Sequence, residues 1–154
     1  MKISLLSIYP NIESFGIRTL SACLKKEGHA VDLFFLTRGF YQRFEEKTLD
    51  DLVKLTKDSN LIGISLMSNF WDNAIQITKK LKENYETPIL WGGTHPTVRP
   101  DECLDHADMV CIGESEETLL ELTRKMEKGQ YYYDTKGMGF RTNEKKINNG
   151  HRPL

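Results

Sequence analysis

The chain has 154 residues and a mass of 17.8 kDa, the size of one domain with a core of its own. Hydrophobic residues make up 39% and charged residues 28%, a balance that excludes disorder over the whole length. Lys and Arg total 21 against 22 Asp and Glu, and the net charge of -1 gives no electrostatic footprint for a nucleic-acid partner.

The opening Met1-Lys2-Ile3-Ser4-Leu5-Leu6 begins like a secretory leader. It breaks at Tyr9-Pro10-Asn11 with no small-residue cleavage site after it, so Ile3 to Ile8 reads as a first strand. Ser14 is placed to cap a helix with Ile17, Leu20, Cys23 and Leu24 at helical spacing, and Gly28 ends it. Ala30 to Leu36 is a second strand. Thr48 and Asp51 open a short helix with Leu49, Leu52, Val53 and Thr56 on one face. Leu61 to Leu66 is a third strand, and the helix that follows, from Phe70 to Tyr85, buries Trp71, Ala74, Ile75, Thr78 and Leu81. Pro88 to Trp91 and Met109 to Ile112 are the fourth and fifth strands. Ser115 caps a last helix that turns Leu119, Leu120, Leu122 and Met126 inward and stops at Gly129.

These strands are continuous apolar runs separated by helices, which predicts a parallel sheet covered on both faces. Right-handed crossovers then give an α/β, doubly wound, five-stranded parallel sheet of order 2-1-3-4-5, flavodoxin-like or Rossmann-like. Residues 1–129 are expected to form that domain, and 130–154 a connector leading to a further domain. The tail carries Tyr131-Tyr132-Tyr133 and an excess of Lys and Arg, with a small hairpin expected from Gly137–Arg141 and Lys145–Ile147 around Asn143-Glu144. No run approaches the roughly 18–20 apolar residues of a membrane span. Cys23, Cys103 and Cys111 have neither disulfide-framework nor zinc spacing, so reduced thiols in a cytoplasmic protein are expected.

A doubly wound sheet takes its ligand at the carboxyl ends of its strands. The loops there are Tyr9–Gly16, Met67–Phe70, Gly92–Pro100 and Gly113–Glu116. Gly92-Gly93 lets the backbone approach a flat ligand, Ser65 and Ser68 put hydroxyls after the third strand, and Gly113 opens the fifth. Small residues at three adjacent strand ends predict a slot beside the sheet. Neither Gly-x-Gly-x-x-Gly nor Gly-x-x-x-x-Gly-Lys is present, so dinucleotide and P-loop binding are unsupported. A phospho-receiver would want a Lys where Gly113-Glu114 stands. A flavin phosphate loop would not use Pro10, which has no N–H, or Glu13, which repels phosphate.

Three segments carry a resemblance. They are Leu61-Ile62-Gly63-Ile64-Ser65-Leu66-Met67-Ser68; Ile89-Leu90-Trp91-Gly92-Gly93-Thr94-His95-Pro96-Thr97 with Pro100-Asp101-Glu102; and Ala107-Asp108-Met109-Val110-Cys111-Ile112-Gly113-Glu114-Ser115-Glu116. Over residues 1–129 the chain resembles the cobalamin-binding domain at the N-terminus of cobalamin-dependent radical S-adenosylmethionine enzymes. Asn149-Gly150-His151-Arg152-Pro153 is similar to that group's connector. The best-known cobalamin domains place Asp-x-His-x-x-Gly in the first loop, where this chain has Asn11-Ile12-Glu13-Ser14-Phe15-Gly16. Glu13 holds the place of the cobalt-ligating His, so the resemblance implies base-off cobalamin without a first-loop histidine, its nucleotide tail in the slot. The cofactor-binding residues implied are Pro10, Asn11, Glu13, Ser14 and Gly16; Ser65, Met67, Ser68 and Asn69; Gly92, Gly93, Thr94, His95 and Pro96; and Gly113, Glu114 and Glu116. None is a catalytic residue or a metal ligand.

Each of these residues has a second reading. His95 is a ligand to the lower face of cobalt or a loop residue bonded to backbone. Glu13, Glu114 and Glu116 are cofactor contacts or first-turn acids favoured by helix dipoles. Ser65 reaches a ligand or satisfies a backbone group, and Gly92-Gly93 is a slot wall or only a turn. His29 and His106 read as surface residues. The cysteines lack the Cys-x-x-x-Cys-x-x-Cys spacing of a radical enzyme's iron–sulfur cluster. The cluster, S-adenosylmethionine and the radical chemistry therefore belong to a parent enzyme whose catalytic domain lies in cis, methyl transfer being the reaction the resemblance offers. Two other readings stand: a flavodoxin-like module for a flavin or nucleotide, and a ligand-free interaction module. Neither nucleic acid nor membrane is an expected partner.

Overall fold

In the computed structural model, which describes residues 1–37, 39 and 42–153, strands and helices alternate through most of the chain. The elements are β1 (Lys2–Ser7), α1 (Phe15–Lys26), β2 (Ala30–Phe35), α2 (Glu46–Thr56), β3 (Leu61–Ser65), α3 (Trp71–Lys82), β4 (Ile89–Gly92), α4 (Thr94–Val98), α5 (Pro100–Cys103), β5 (Met109–Cys111), α6 (Glu116–Glu127), β6 (Met138–Arg141) and β7 (Lys146–Asn148). One sheet runs β2-β1-β3-β4-β5-β6-β7.

The apolar strands bury both of their faces. Ile3, Leu5, Leu61, Leu90 and Met109 pack against Ile17 and Leu24 of α1 and Leu119 and Leu122 of α6. Leu6, Ile8, Ile62, Ile64, Trp91 and Val110 pack on the opposite face against Leu49 and Leu52 of α2 and Ala74, Ile77 and Leu81 of α3. Trp91 is fully buried, and its Nε1–H donates to Thr78 Oγ1 at 2.9 Å, so the indole's polar atom is satisfied inside the core.

The first five strands are parallel in the expected order. The sheet does not stop at five. β6 pairs antiparallel with β5, and β7 antiparallel with β6. No helix separates β6 from β7, so the chain returns directly and the last two strands cannot be parallel to one another. Met138 and Phe140 of β6 are fully buried in the α1/α6 cluster, so this stretch is part of the core.

Several local expectations are also corrected. The stretch from Gly92 to Pro100 holds one short helix, α4, and ends where a second, α5, begins at Pro100, whose fixed φ suits a first helical turn. α2 begins at Glu46, and a 3₁₀ turn, Ser68–Phe70, precedes α3. Ser14 and Ser115 occupy N-cap positions, yet neither side chain caps its helix. Ser14 Oγ instead bonds Ser7 Oγ at 2.7 Å, tying the end of β1 to the start of α1. His29 is buried, its Nδ1 3.3 Å from the Met1 amino group and 3.4 Å from Glu127 Oε1. His106 is half-buried, with its ring stacked on Trp91. Among the described residues no helix is long and apolar enough to cross a membrane.

Candidate functional site

The register of the central strands builds the site. Ser7, Ser65 and Gly92 lie side by side across β1, β3 and β4 at their carboxyl ends. Two residues below, Leu5, Gly63 and Leu90 form the next row on the same face. That face is the one α1 and α6 cover. Where four of these six residues are Ser or Gly, side chains from the two helices cannot close onto the sheet.

The result is a cavity of about 140 Å³ between the sheet, α1 and α6. Its floor and back wall are Leu5, Gly63, Ser65, Leu90, Gly92, Gly93 and Cys111. Gly16, Ile17 and Leu20 come from α1, and Gly113, Glu114, Ser115, Glu116 and Leu119 from the β5–α6 junction. A second cavity of about 340 Å³ adjoins it above the start of α1, sharing Gly16, Ile17, Ser65 and Gly93. Its other walls are Tyr9, Asn11, Glu13, Ser14, Phe15 and Thr94. Its volume alone falls within the roughly 300–1,000 Å³ usual for small-molecule sites.

The two consecutive glycines have different reasons to be glycine. Gly93 has φ +105°, and a Cβ there would sit 2.6 Å from the Leu66 carbonyl oxygen. Gly92 has ordinary backbone, and among the described residues beyond its chain neighbours a Cβ at that position would have one atom within 4 Å, Cys111 Cβ at 3.8 Å. Its missing side chain is open slot. The turns are braced from behind: Thr97 Oγ1 donates to the Gly93 carbonyl at 2.8 Å and accepts from the Gly113 N–H at 3.1 Å. In the first loop, Asn11 Oδ1 accepts from the Glu13 N–H at 3.0 Å, a local turn that holds the loop beside α1.

The charged lining residues, Glu13, Glu114 and Glu116, are all acidic; no Lys, Arg or His is among the described residues that line either cavity. Burial pushes the Cys111 thiol up to about 11, so the slot floor carries a neutral thiol at physiological pH. Small hydroxyls, glycine backbone and aliphatic walls suit a flat, largely neutral ligand rather than a polyphosphate.

Of the residues expected at the site, Gly16, Ser65, Gly92, Gly93, Gly113, Glu114 and Glu116 line the inner cavity, and Asn11, Glu13, Ser14 and Thr94 line the outer one. Pro10, Met67, Ser68, Asn69, His95 and Pro96 line neither. Pro10 and Asn69 are exposed, and Met67 packs toward the α2/α3 core. His95 is buried, with its Nδ1 on Ser68 Oγ and its ring 4.7 Å from Trp71. Sequence reasoning missed Gly63 and Cys111. Gly63 carries a signal, since glycine inside an apolar strand marks a close approach. Cys111 carries none, because a thiol in a strand reads as core.

A parallel doubly wound sheet with a glycine-walled slot over the carboxyl ends of its central strands defines a Rossmann-like small-molecule-binding domain. Residues 1–123 match the B12 binding domain family, and the chain belongs to that family. A protein of Pyrococcus horikoshii described as an uncharacterized methyltransferase is 29% identical over 116 residues, 71% of this chain and 25% of that protein. The radical S-adenosylmethionine methyltransferase TsrM from Kitasatospora setae, solved with cobalamin and an iron–sulfur cluster bound, superposes with a TM-score of 0.76 at 18% identity, over 100% of this chain and 30% of TsrM. OxsB, a cobalamin-dependent S-adenosylmethionine radical enzyme solved with aqua-cobalamin and S-adenosylmethionine, gives 0.74 at 20% identity, over 98% of this chain and 22% of OxsB. The chain thus spans a quarter of the curated relative and less than a third of either solved enzyme.

Proposed function

We propose that the chain binds cobalamin in the base-off form, the nucleotide tail in the slot between the sheet, α1 and α6. The observation that carries the reading is Gly92: its backbone tolerates a side chain, a Cβ there would make ordinary contact with Cys111 at 3.8 Å, and the space it leaves belongs to the cavity. Gly63, Ser65 and Gly93 continue that wall, and Asn11, Glu13 and Thr94 stand around the outer opening. Glu13 supports the absence of a first-loop histidine ligand, because a carboxylate has no imidazole nitrogen to offer cobalt. His29 and His95 are buried outside both cavities. When bound, cobalamin supplies a cobalt centre suited to carrying a methyl group. The protein's part is to hold the cofactor, displace its base and leave one face accessible.

The relatives favour a parent enzyme of the radical S-adenosylmethionine class, with methyl transfer as its reaction and its catalytic domain in cis. The iron–sulfur cluster and S-adenosylmethionine would be held by that domain. Reduced cysteines, two of them buried, suit a cytoplasmic setting.

The test is direct. Hydroxocobalamin is added to the chain, unbound cofactor is removed by desalting, and the absorbance spectrum is recorded. Retained cobalamin with the bands of a displaced benzimidazole is the expected result. Unchanged base-on bands would refute the base-off assignment. No retention would refute the cobalamin reading itself.

A further inference from the structure

We infer that His151, which lies beyond the region matched by the family, is a ligand-contacting residue of the slot, its imidazole hydrogen-bonding the oxygen-rich nucleotide arm of the cofactor. The inference rests on the cobalamin reading and deepens it.

The tail returns to the site because it is held on both sides of His151. Before it, the Gly150 carbonyl accepts from the Gly137 N–H at 3.0 Å, and the Gly137 carbonyl accepts from the Ile112 N–H at 2.7 Å, directly after β5. After it, the Arg152 guanidinium pairs with Glu121 and reaches Thr118 Oγ1 at 3.4 Å, both on α6. Between these anchors the His151 ring lies beside Gly113, a wall of the inner cavity, just outside the residues that line it. A Cβ on Gly113 would come within 2.9 Å of His151 Nδ1, so the absent side chain at Gly113 makes room for the imidazole.

The ring is uncommitted. His151 is exposed, and its nitrogens make no hydrogen bond to any described residue, whereas His29 and His95 are buried and each has one ring nitrogen engaged. No Lys, Arg or His donor is among the described residues that line the slot. A nucleotide arm bears a phosphodiester, a ribose and amide oxygens, all of which accept hydrogen bonds. The slot offers them neutral hydroxyls and amides beside three carboxylates, which only accept, and no imidazole or cation. Ser14 is already bonded to Ser7. A neutral or protonated imidazole has at least one N–H to donate, and His151 stands next to Gly113 at the edge of the slot to donate it.

The test compares the full chain with its His151→Ala variant by hydroxocobalamin titration, together with histidine carbethoxylation by diethyl pyrocarbonate, read by peptide mass spectrometry. Loss of one hydrogen bond predicts affinity weakened by about 3- to 10-fold. The melting temperature of the apo variant stays at the wild-type value, because the exposed ring supports no core contact. In the wild type, His151 is carbethoxylated readily and is protected when cobalamin is bound. Equal affinity of variant and wild type, an unprotected His151 in the complex, or a fall in melting temperature that accounts for the affinity loss would each overturn the inference while the cobalamin reading stands. If the wild type retains no cobalamin, that reading fails first and the role of His151 falls with it.

Discussion

His95 Nδ1 and Ser68 Oγ lie 2.8 Å apart, and this bond joins the turn after β3 to the turn after β4, the two turns that flank Gly93. The imidazole is buried against Trp71, and its Nε2 has no partner among the described residues. The Ser68 hydroxyl is therefore the one polar group that repays the burial of the ring. Ser68→Ala leaves both nitrogens unpaired, at a cost of about 1–3 kcal/mol. For a chain of this length that is a fall of roughly 2–10 °C in melting temperature. An unchanged midpoint in thermal unfolding followed by circular dichroism would show that the pair is not a fastener.

The same residue marks where the sequence stops being legible. Apolar strands between amphipathic helices dictate a parallel covered sheet, and β1 to β5 follow. β6 and β7 are short, and which sheet edge they join depends on burying Met138 and Phe140 beside β5, a tertiary fact with no local signature. Gly16, Gly92, Gly93 and Gly113 were legible because a missing side chain in a strand-end loop has few explanations, whereas Gly63, inside an apolar strand, was passed over. Leu5, Ile17, Leu20 and Leu119 were not, since a slot wall and a core position obey the same pattern. His95 stands in the expected loop, but α4 decides which way its ring points, and that short helix followed from nothing read beforehand.

Asp108 should prove the most costly surface carboxylate to remove. Its Oδ2 accepts from the Ile89 N–H at 2.9 Å, and its Oδ1 pairs with Lys82 at 2.5 Å and Arg141 at 3.1 Å. It thus binds the start of β4, the end of α3 and the end of β6 at one point. Asp108→Ala removes the partner of Lys82, one of two partners of Arg141, and the acceptor of the Ile89 N–H at the start of β4. The expected loss is about 2 kcal/mol, discounted for the partial exposure of the pair. Chemical denaturation should show a lower midpoint with unchanged slope. A variant as stable as wild type would mean that solvent serves these groups equally well.

The three thiols should differ in reactivity and should make stability pH-dependent on the alkaline side. Burial pushes Cys103 up to about 12 and Cys111 up to about 11, whereas Cys23 is half-buried. Only the thiolate alkylates, so iodoacetamide at pH 8 should label Cys23 in the native protein and all three in denaturant. Thiols with raised folded values favour the native state while protonated. Their contribution is complete below the ordinary thiol value of 9.0 and is lost as pH climbs toward 11 and 12. Burial raises Tyr132 to about 12, with the same sign. The melting temperature should bend downward above pH 9; a flat profile from pH 9 to 11 would contradict these assignments.

Gly92 and Gly93 separate folding from binding with adjacent substitutions. Gly93→Ala places a Cβ 2.6 Å from the Leu66 carbonyl at φ +105°, a conformation that L side chains rarely adopt. Strain of about 1–3 kcal/mol, with the clash added, should lower the melting temperature whatever the site binds. Gly92→Leu meets no such obstacle: a β-carbon there makes ordinary van der Waals contact with Cys111 at 3.8 Å, and the rest of the side chain projects into the cavity. That variant should melt close to wild type and lose hydroxocobalamin on desalting. Had both glycines served only a turn, Gly92→Leu would bind normally. Wild-type cobalamin affinity in a well-folded Gly92→Leu protein would therefore remove the slot from the binding site and, with it, the main structural support for the proposed function.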